Sequence, residues 1–107
     1  MPTDPDLAAL DDPDYRVRLR GVYSLMPPSD MKGRFTDGNP LFVAPLLDLA
    51  GDPTKNVRNA IVWPIGVIAS TERGRDGKMI LLAALRSPEW RVRFAAARAY
   101  TWLRDEP

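Results

Sequence analysis

The chain has 107 residues, of which 45% are hydrophobic and 27% charged, a composition typical of one folded domain. It contains no cysteine and no histidine, which excludes disulfides, thiol nucleophiles, Cys/His zinc sites and imidazole acid–base chemistry. The formal net charge of +1 conceals an asymmetry, because residues 1–54 hold five basic and nine acidic side chains whereas residues 55–107 hold ten basic and five acidic ones.

An internal repeat organises the chain. Three segments align without gaps, DPDYRVR from Asp12, DPTKNVR from Asp52 and SPEWRVR from Ser87, at spacings of 40 and 35 residues. Each segment follows a short leucine-rich stretch and precedes a long segment with apolar residues at helical spacing. Each repeat therefore predicts a helix A, a tight turn and a helix B.

The helices predicted from these signals span, in chain order, residues 4–11, 13–26, 39–50, 53–71, 76–86 and 88–104. They form one domain, 1–107, with repeats at about 4–26, 39–71 and 76–104. Residues 27–38 form the one long linker, in which residues 29–35 are expected to make a helical turn.

Two features of the B helices follow from the repeated motif. Its first residue (Asp12, Asp52 or Ser87) is expected to cap the helix, with proline at the first helical position. The apolar positions form one stripe on each helix: Val57, Ile61, Ile65 and Ile68 in the second repeat, and Val92, Ala96, Tyr100 and Leu103 in the third.

The leucine-rich helix A, the D-P-x-x-x-V-R turn and the small residues Ala95-Ala96-Ala97 together resemble HEAT repeats. The sequence is especially similar to the short bacterial form related to phycobilisome-lyase HEAT-like repeats. The resemblance covers about residues 4–104 and is best in the third copy and weakest in the first. It implies an all-α fold, a short α-solenoid of three HEAT-like helical hairpins. Function is implied only as a class, because HEAT proteins range from scaffolds to enzymes.

The resemblance also implies a structural ladder between repeats, formed by arginines and acidic residues: Asp12, Arg18, Asp52, Arg58 and Arg93. Each arginine is expected to reach an acidic cap or a carbonyl of a neighbouring repeat. Ser87 replaces the acid in the third copy, which weakens one rung. The alternative is a cationic stripe for phosphate or acidic ligands. Packing geometry alone explains an arginine beside each repeat valine, so the ladder is favoured.

A contact patch is predicted from the positions two and six after each repeat valine, which face away from the core stripe. In HEAT-like stacks the B helices line the concave surface, so these positions are candidates for partner binding: Leu19, Tyr23, Asn59, Trp63, Phe94 and Arg98. The alternative is that some of them pack against the neighbouring repeat. Pro64 is expected to kink its helix, either to curve the stack or to push Trp63 outward as an anchor. Trp90 and Trp102 are expected to cover helix ends.

The expected function is non-catalytic: an adaptor, scaffold or assembly subunit that binds a protein or peptide along the concave B-helix face. No catalytic, cofactor-binding or metal-binding motif is recognised, so no cofactor is expected. One alternative is phosphate binding to nucleic acid by the basic half, through Arg86, Arg91, Arg93, Arg98 and Arg104. Scarce lysine and a pI near 8.1 argue against it. The other alternative is self-association, with the acidic end of one copy meeting the basic end of the next.

The expected location is the cytoplasm. No apolar run approaches the roughly 20 residues that a membrane-spanning helix needs, so no membrane partner is expected. The first ten residues, MPTDPDLAAL, are acidic where a signal peptide is basic, and secretion is therefore not expected.

Overall fold

A computed structural model describes residues 5–32, 35, 38–71 and 73–103. These residues form seven α-helices and no β-strand, which confirms the all-α prediction. The helices are α1 (Pro5–Ala9), α2 (Tyr15–Ser24), α3 (Val43–Asp48), α4 (Lys55–Ala60), α5 (Val62–Ser70), α6 (Arg75–Ala84) and α7 (Trp90–Tyr100). Two 3₁₀ turns, Pro40–Phe42 and Leu49–Gly51, flank α3. None of the described helices is long and apolar enough to cross a membrane.

The helices stack as three hairpins. The first pairs α1 with α2 and the third pairs α6 with α7. In the second, α3 packs against α5, and α4 contacts α5 and the 3₁₀ turn Leu49–Gly51. The first joint is a contact between α2 and α4, and the second joint brings α5 against α6 and α7. The middle hairpin therefore lies between the other two, as in a short α-solenoid.

The core centres on the second B helix. Val57, Ile61, Ile65 and Ile68 are all fully buried, as their helical spacing predicts. The third stripe is different, because α7 buries Ala95, Ala96 and Ala99 but leaves Tyr100 42% exposed. Within the part of the chain that the structure describes, α7 packs against α3, α5 and α6, and the exposure of Tyr100 shows that its predicted stripe is only partly buried.

The predicted helix caps are wrong by two residues. The B helices begin after the N-cap residues Asp14, Thr54 and Glu89. The first residue of each motif instead closes a turn before the helix, and its side chain accepts the N–H two residues further on: Asp12 at 2.8 Å, Asp52 at 2.8 Å and Ser87 at 3.1 Å. Proline then lies inside this turn, where its fixed φ angle is equally well tolerated.

Pro64 divides the predicted helix 53–71 into α4 and α5, with the break at Ile61. A proline at position 64 has no N–H to donate to the carbonyl of Ala60. The chain responds by starting a new helix at Val62, which places Pro64 in a first turn, where a missing N–H costs little. Pro64 is fully buried there.

The linker does not form the predicted helical turn at residues 29–35. Ser29 and Phe35 instead pair as an isolated antiparallel bridge. Between them, the Asp30 carboxylate accepts the N–H of Lys32 at 2.9 Å and so closes a local turn that competes with helix. This turn brings Phe35 back toward the second hairpin.

Candidate functional site

A bidentate ion pair between Arg18 and Asp52 links the first two hairpins. Arg18 donates from Nε to Oδ2 of Asp52 at 2.8 Å and from Nη2 to Oδ1 at 3.1 Å. Its Nη1 donates to the carbonyl oxygen of Asp12 at 2.7 Å. The side chains of Arg18 and Asp52 are only 11% and 4% exposed. Burial and bidentate geometry make this a strong, well-ordered link between repeats.

Among the described residues, the other two arginines of the repeat donate only to backbone carbonyls of their own hairpin turn. Arg58 Nη1 donates to the carbonyl of Asp52 at 2.7 Å, and Arg93 Nη1 donates to that of Ser87 at 2.7 Å. The carbonyl lies six residues before the arginine in each case, as it does for Arg18. Among the described residues, Arg58 does not make the expected contact with the next repeat, and the position of the third motif that aligns with Asp52 is Ser87, which has no carboxylate.

Two adjoining grooves run along the B helices. The first, between α2 and α4, encloses about 370 Å³ and is called here the neutral groove. Its described lining residues carry no charged side chain: Leu19, Tyr23, Asn56, Asn59 and Ala60. Tyr23 is 52% exposed, so the neutral groove presents a large aromatic ring to solvent.

The second, between α4 and α7, encloses about 310 Å³ and is called here the basic groove. Its described lining residues include four cations, two aromatics and no carboxylate: Ala50, Lys55, Arg58, Asn59, Val62, Trp90, Arg91, Phe94, Ala95 and Arg98. The two aromatic rings, Trp90 and Phe94, are each 58% exposed. Positive charge and apolar surface therefore share one cavity.

Asn59 joins the grooves, since it lines both of them. Its Oδ1 accepts a hydrogen bond from Arg98 Nη1 at 3.2 Å, which links α4 to α7. The guanidinium of Arg98 lies 5.6 Å from the ring centre of Phe94, within range of a cation–π contact. These contacts hold three of the predicted patch residues in one arrangement between the two B helices.

Trp63, by contrast, belongs to an aromatic cluster away from the lining of the two grooves. Its ring meets Phe35 of the linker edge-on, with centres 6.1 Å apart, and Trp102 at 6.4 Å. Trp102 comes this close because Gly66 has no side chain; a Cβ at that position would lie 2.5 Å from the Cβ of Trp102. Five of the six predicted patch residues thus line the two grooves, whereas Trp63, 43% exposed, packs with Phe35 and Trp102 instead.

Sequence reasoning missed Lys55 and Trp90 as residues of the basic groove, and it named Arg91 only for the nucleic-acid alternative. Trp90 was expected to cover a helix end, yet it lies four residues before Phe94 and so shares its helix face. That spacing was the available signal. Of the arginines considered for nucleic acid, Arg91 and Arg98 line the basic groove, whereas Arg104 lies outside the described residues.

The family model for HEAT repeats matches residues 43–107, more than half of the chain, and the chain therefore belongs to the HEAT-repeat family. The match begins in the second hairpin and leaves out the first, the copy with the weakest motif. A search of curated proteins returns no significant match. HEAT repeats are commonly protein-interaction modules and generally non-catalytic. The closer similarity to the phycobilisome-lyase type stays a prediction.

Proposed function

We propose that this chain is a non-catalytic adaptor, scaffold or assembly subunit that binds a protein partner along its B-helix face. That face consists of the neutral and basic grooves together. The observation that carries the proposal is the continuity of the grooves at Asn59, with an exposed aromatic ring on each side. We also propose that the protein is located in the cytoplasm, as expected from the sequence.

Tyr23 and Phe94 are the proposed anchors. Each is more than half exposed and lines a groove of its own. Large aromatic side chains bury much area for little lost conformational freedom, and they are enriched among the residues that dominate binding energy. Leu19, Asn59 and Arg98 surround the anchors, and Trp63 is assigned to the edge of the face.

Nucleic acid suits this face less well than protein. A phosphate backbone carries charge along its whole length, so affinity comes from cations distributed along the binding surface. On this face, the cationic side chains line the basic groove, whereas the described lining of the neutral groove has no cationic side chain. A polypeptide can match a charged groove and an uncharged groove in one segment.

The test is capture of partners from the native source with matched variants. We expect the wild-type protein to retain a specific partner that the double variant Tyr23→Ala/Phe94→Ala retains at least about tenfold less, since each anchor contributes roughly 1–3 kcal/mol. The control is Met79→Ala, which removes a residue that is 63% exposed but lies on α6, outside both grooves. Far-ultraviolet circular dichroism of each variant checks that helical content is unchanged.

Equal retention by the wild type, the control and the double variant would show that the partner binds elsewhere. A captured partner that is another copy of the chain, with a concentration-dependent mass in sedimentation, would favour self-association instead.

A further inference from the structure

The basic groove lies where the repeat's ion pair is incomplete. At the first joint, Asp52 uses two oxygens: Oδ1 accepts the N–H of Thr54 and Nη2 of Arg18, and Oδ2 accepts Nε of Arg18. At the second joint, Ser87 has one side-chain oxygen, which accepts the N–H of Glu89. Serine therefore closes its turn but has no second oxygen to offer an arginine.

Arg58 is the arginine left without that partner. Its Nη1 donates to the carbonyl of Asp52, as Nη1 of Arg18 does to the carbonyl of Asp12. The nitrogens that correspond to the Asp52-binding edge of Arg18 meet no acceptor among the described residues, and Arg58 lines the basic groove. A guanidinium is always charged and binds a carboxylate best through two parallel hydrogen bonds.

The residues around Arg58 also favour a negatively charged ligand. Lys55, Arg91 and Arg98 line the groove with it, and the described lining holds no acidic side chain to neutralise them. The exposed rings of Trp90 and Phe94 add apolar surface within the same cavity. A ligand that fits must carry several negative charges and also apolar groups.

We propose that the basic groove binds an acidic peptide segment of the partner, one carboxylate of which pairs with Arg58 as Asp52 pairs with Arg18. Apolar side chains of the same segment cover Trp90 and Phe94 and continue into the neutral groove. The inference rests on the proposed function and adds the chemistry of the partner. Charge complementarity selects an acidic peptide, and the uncharged neutral groove disfavours a nucleic acid.

The probe is a fluorescently labelled synthetic peptide of glutamate and leucine residues, titrated with the full chain and followed by anisotropy. The matched peptide has glutamine in place of every glutamate. We expect the glutamine peptide to bind at least about tenfold more weakly, because each lost charged hydrogen bond costs on the order of a tenfold change in affinity. Arg58→Gln should weaken the acidic peptide by about the same factor, whereas Arg75→Gln, exposed on α6 and away from the groove, should not.

Ser87→Asp separates a binding role of Arg58 from a structural one. An aspartate can keep the turn with one oxygen and offer the other to Arg58, so it competes with the peptide for the same nitrogens. We expect Ser87→Asp to raise the melting temperature and to weaken the acidic peptide several-fold. If Arg58 were merely structural, Ser87→Asp would weaken the acidic peptide by the same factor in the Arg58→Gln background as in the wild type.

The outcomes also distinguish this inference from the proposed function. If both peptides bind equally and shift the amide resonances of Asn59 and Phe94, the B-helix face binds peptides without regard to charge, and the inference fails while the proposed function stands. If neither peptide binds, the inference fails. If random duplex DNA binds more tightly than the acidic peptide, with affinity that falls steeply with salt, both are overturned.

Discussion

The two joints of this stack are built from the same turn and differ chiefly in one side chain. At the first, Asp52 closes its own turn and binds Arg18 of the preceding hairpin across the joint. At the second, Ser87 closes its turn but leaves Arg58 of the preceding hairpin without a carboxylate. The ion pair thus bridges the first joint, which also carries the neutral groove, whereas at the second joint Arg58 lines the basic groove.

This difference separates two roles of a repeated arginine. One nitrogen, Nη1, always holds the carbonyl at the start of its own hairpin turn, in all three copies. Among the described residues, the opposite edge of the guanidinium binds the next repeat at Asp52, and Arg58 has no such contact where Ser87 takes the place of the aspartate. We infer that a single substitution in the motif can convert a stabilising contact into a charged surface.

The largest expected effect on the free energy of unfolding is at the first joint, where Arg18 pairs with Asp52. Arg18→Ala should lower the free energy of unfolding by about 3–4 kcal/mol, because it leaves the carboxylate of Asp52 buried without its cation. Urea denaturation followed by circular dichroism measures it, and the exposed Arg20→Ala serves as control, with an expected change within about 0.5 kcal/mol. If Arg18→Ala and Arg20→Ala had equally small effects, the ion pair between Arg18 and Asp52 would contribute nothing to stability.

A smaller effect on the free energy of unfolding is expected at the second joint, where Arg58 has no carboxylate partner among the described residues. Arg58→Ala removes one hydrogen bond to a carbonyl and no ion pair among the described residues, so it should cost about 1 kcal/mol. The same denaturation experiment, with the exposed Arg75→Ala as control, measures it. A loss of stability as large as that of Arg18→Ala would mean that Arg58 already has a carboxylate partner. Its Nε and Nη2 would then not be available to bind one.

The smallest expected effect is at the exposed pair of Asp14 and Arg16 on the first turn of α2. Hydrogen bonds from the Arg16 side chain and backbone N–H lower the pKa of the Asp14 carboxyl from its ordinary 3.8. A lowered folded-state pKa means that the associated stability is present above the ordinary pKa and is lost as the pH falls through the folded one. Both side chains are solvent-exposed, so the contribution is small.

Nuclear magnetic resonance titration of the Asp14 carboxyl carbon tests this directly. Arg16→Gln removes the largest cause of the shift and should return the pKa of Asp14 toward its ordinary value. If the pKa stays lowered, the backbone N–H of residue 16 alone accounts for the shift.

Much of the fold could be predicted from the repeat. The D-P-x-x-x-V-R spacing locates each hairpin, and the stripe from Val57 to Ile68 identifies the core face of the central helix. The helix starts were wrong by two residues because aspartate, threonine and serine favour both caps and turns, and local spacing does not decide between them. The division at Ile61 follows from Pro64, whose missing N–H is visible in the sequence.

The candidate site could be predicted less completely. Tyr23, Asn59 and Phe94 follow from helix periodicity, since the groove-lining face lies opposite the core stripe. The position of Trp63 depends on Phe35, which lies 28 positions away in the linker and reaches it through a turn that helical spacing does not encode. The open edge of Arg58 depends on comparing Ser87 with Asp52. Its place in a groove depends on the tertiary arrangement that leaves a cavity between α4 and α7.

The central claim, that Arg58 has a vacant carboxylate-binding edge which an aspartate at position 87 would fill, is tested most directly by a double-mutant cycle. The free energy of unfolding is measured for the wild type, Ser87→Asp, Arg58→Gln and the double variant. We expect Ser87→Asp to stabilise the wild type by about 1 kcal/mol and to give no gain in the Arg58→Gln background, a coupling of about 1 kcal/mol. The same effect of Ser87→Asp in both backgrounds would contradict the claim, because the new carboxylate would then not interact with Arg58.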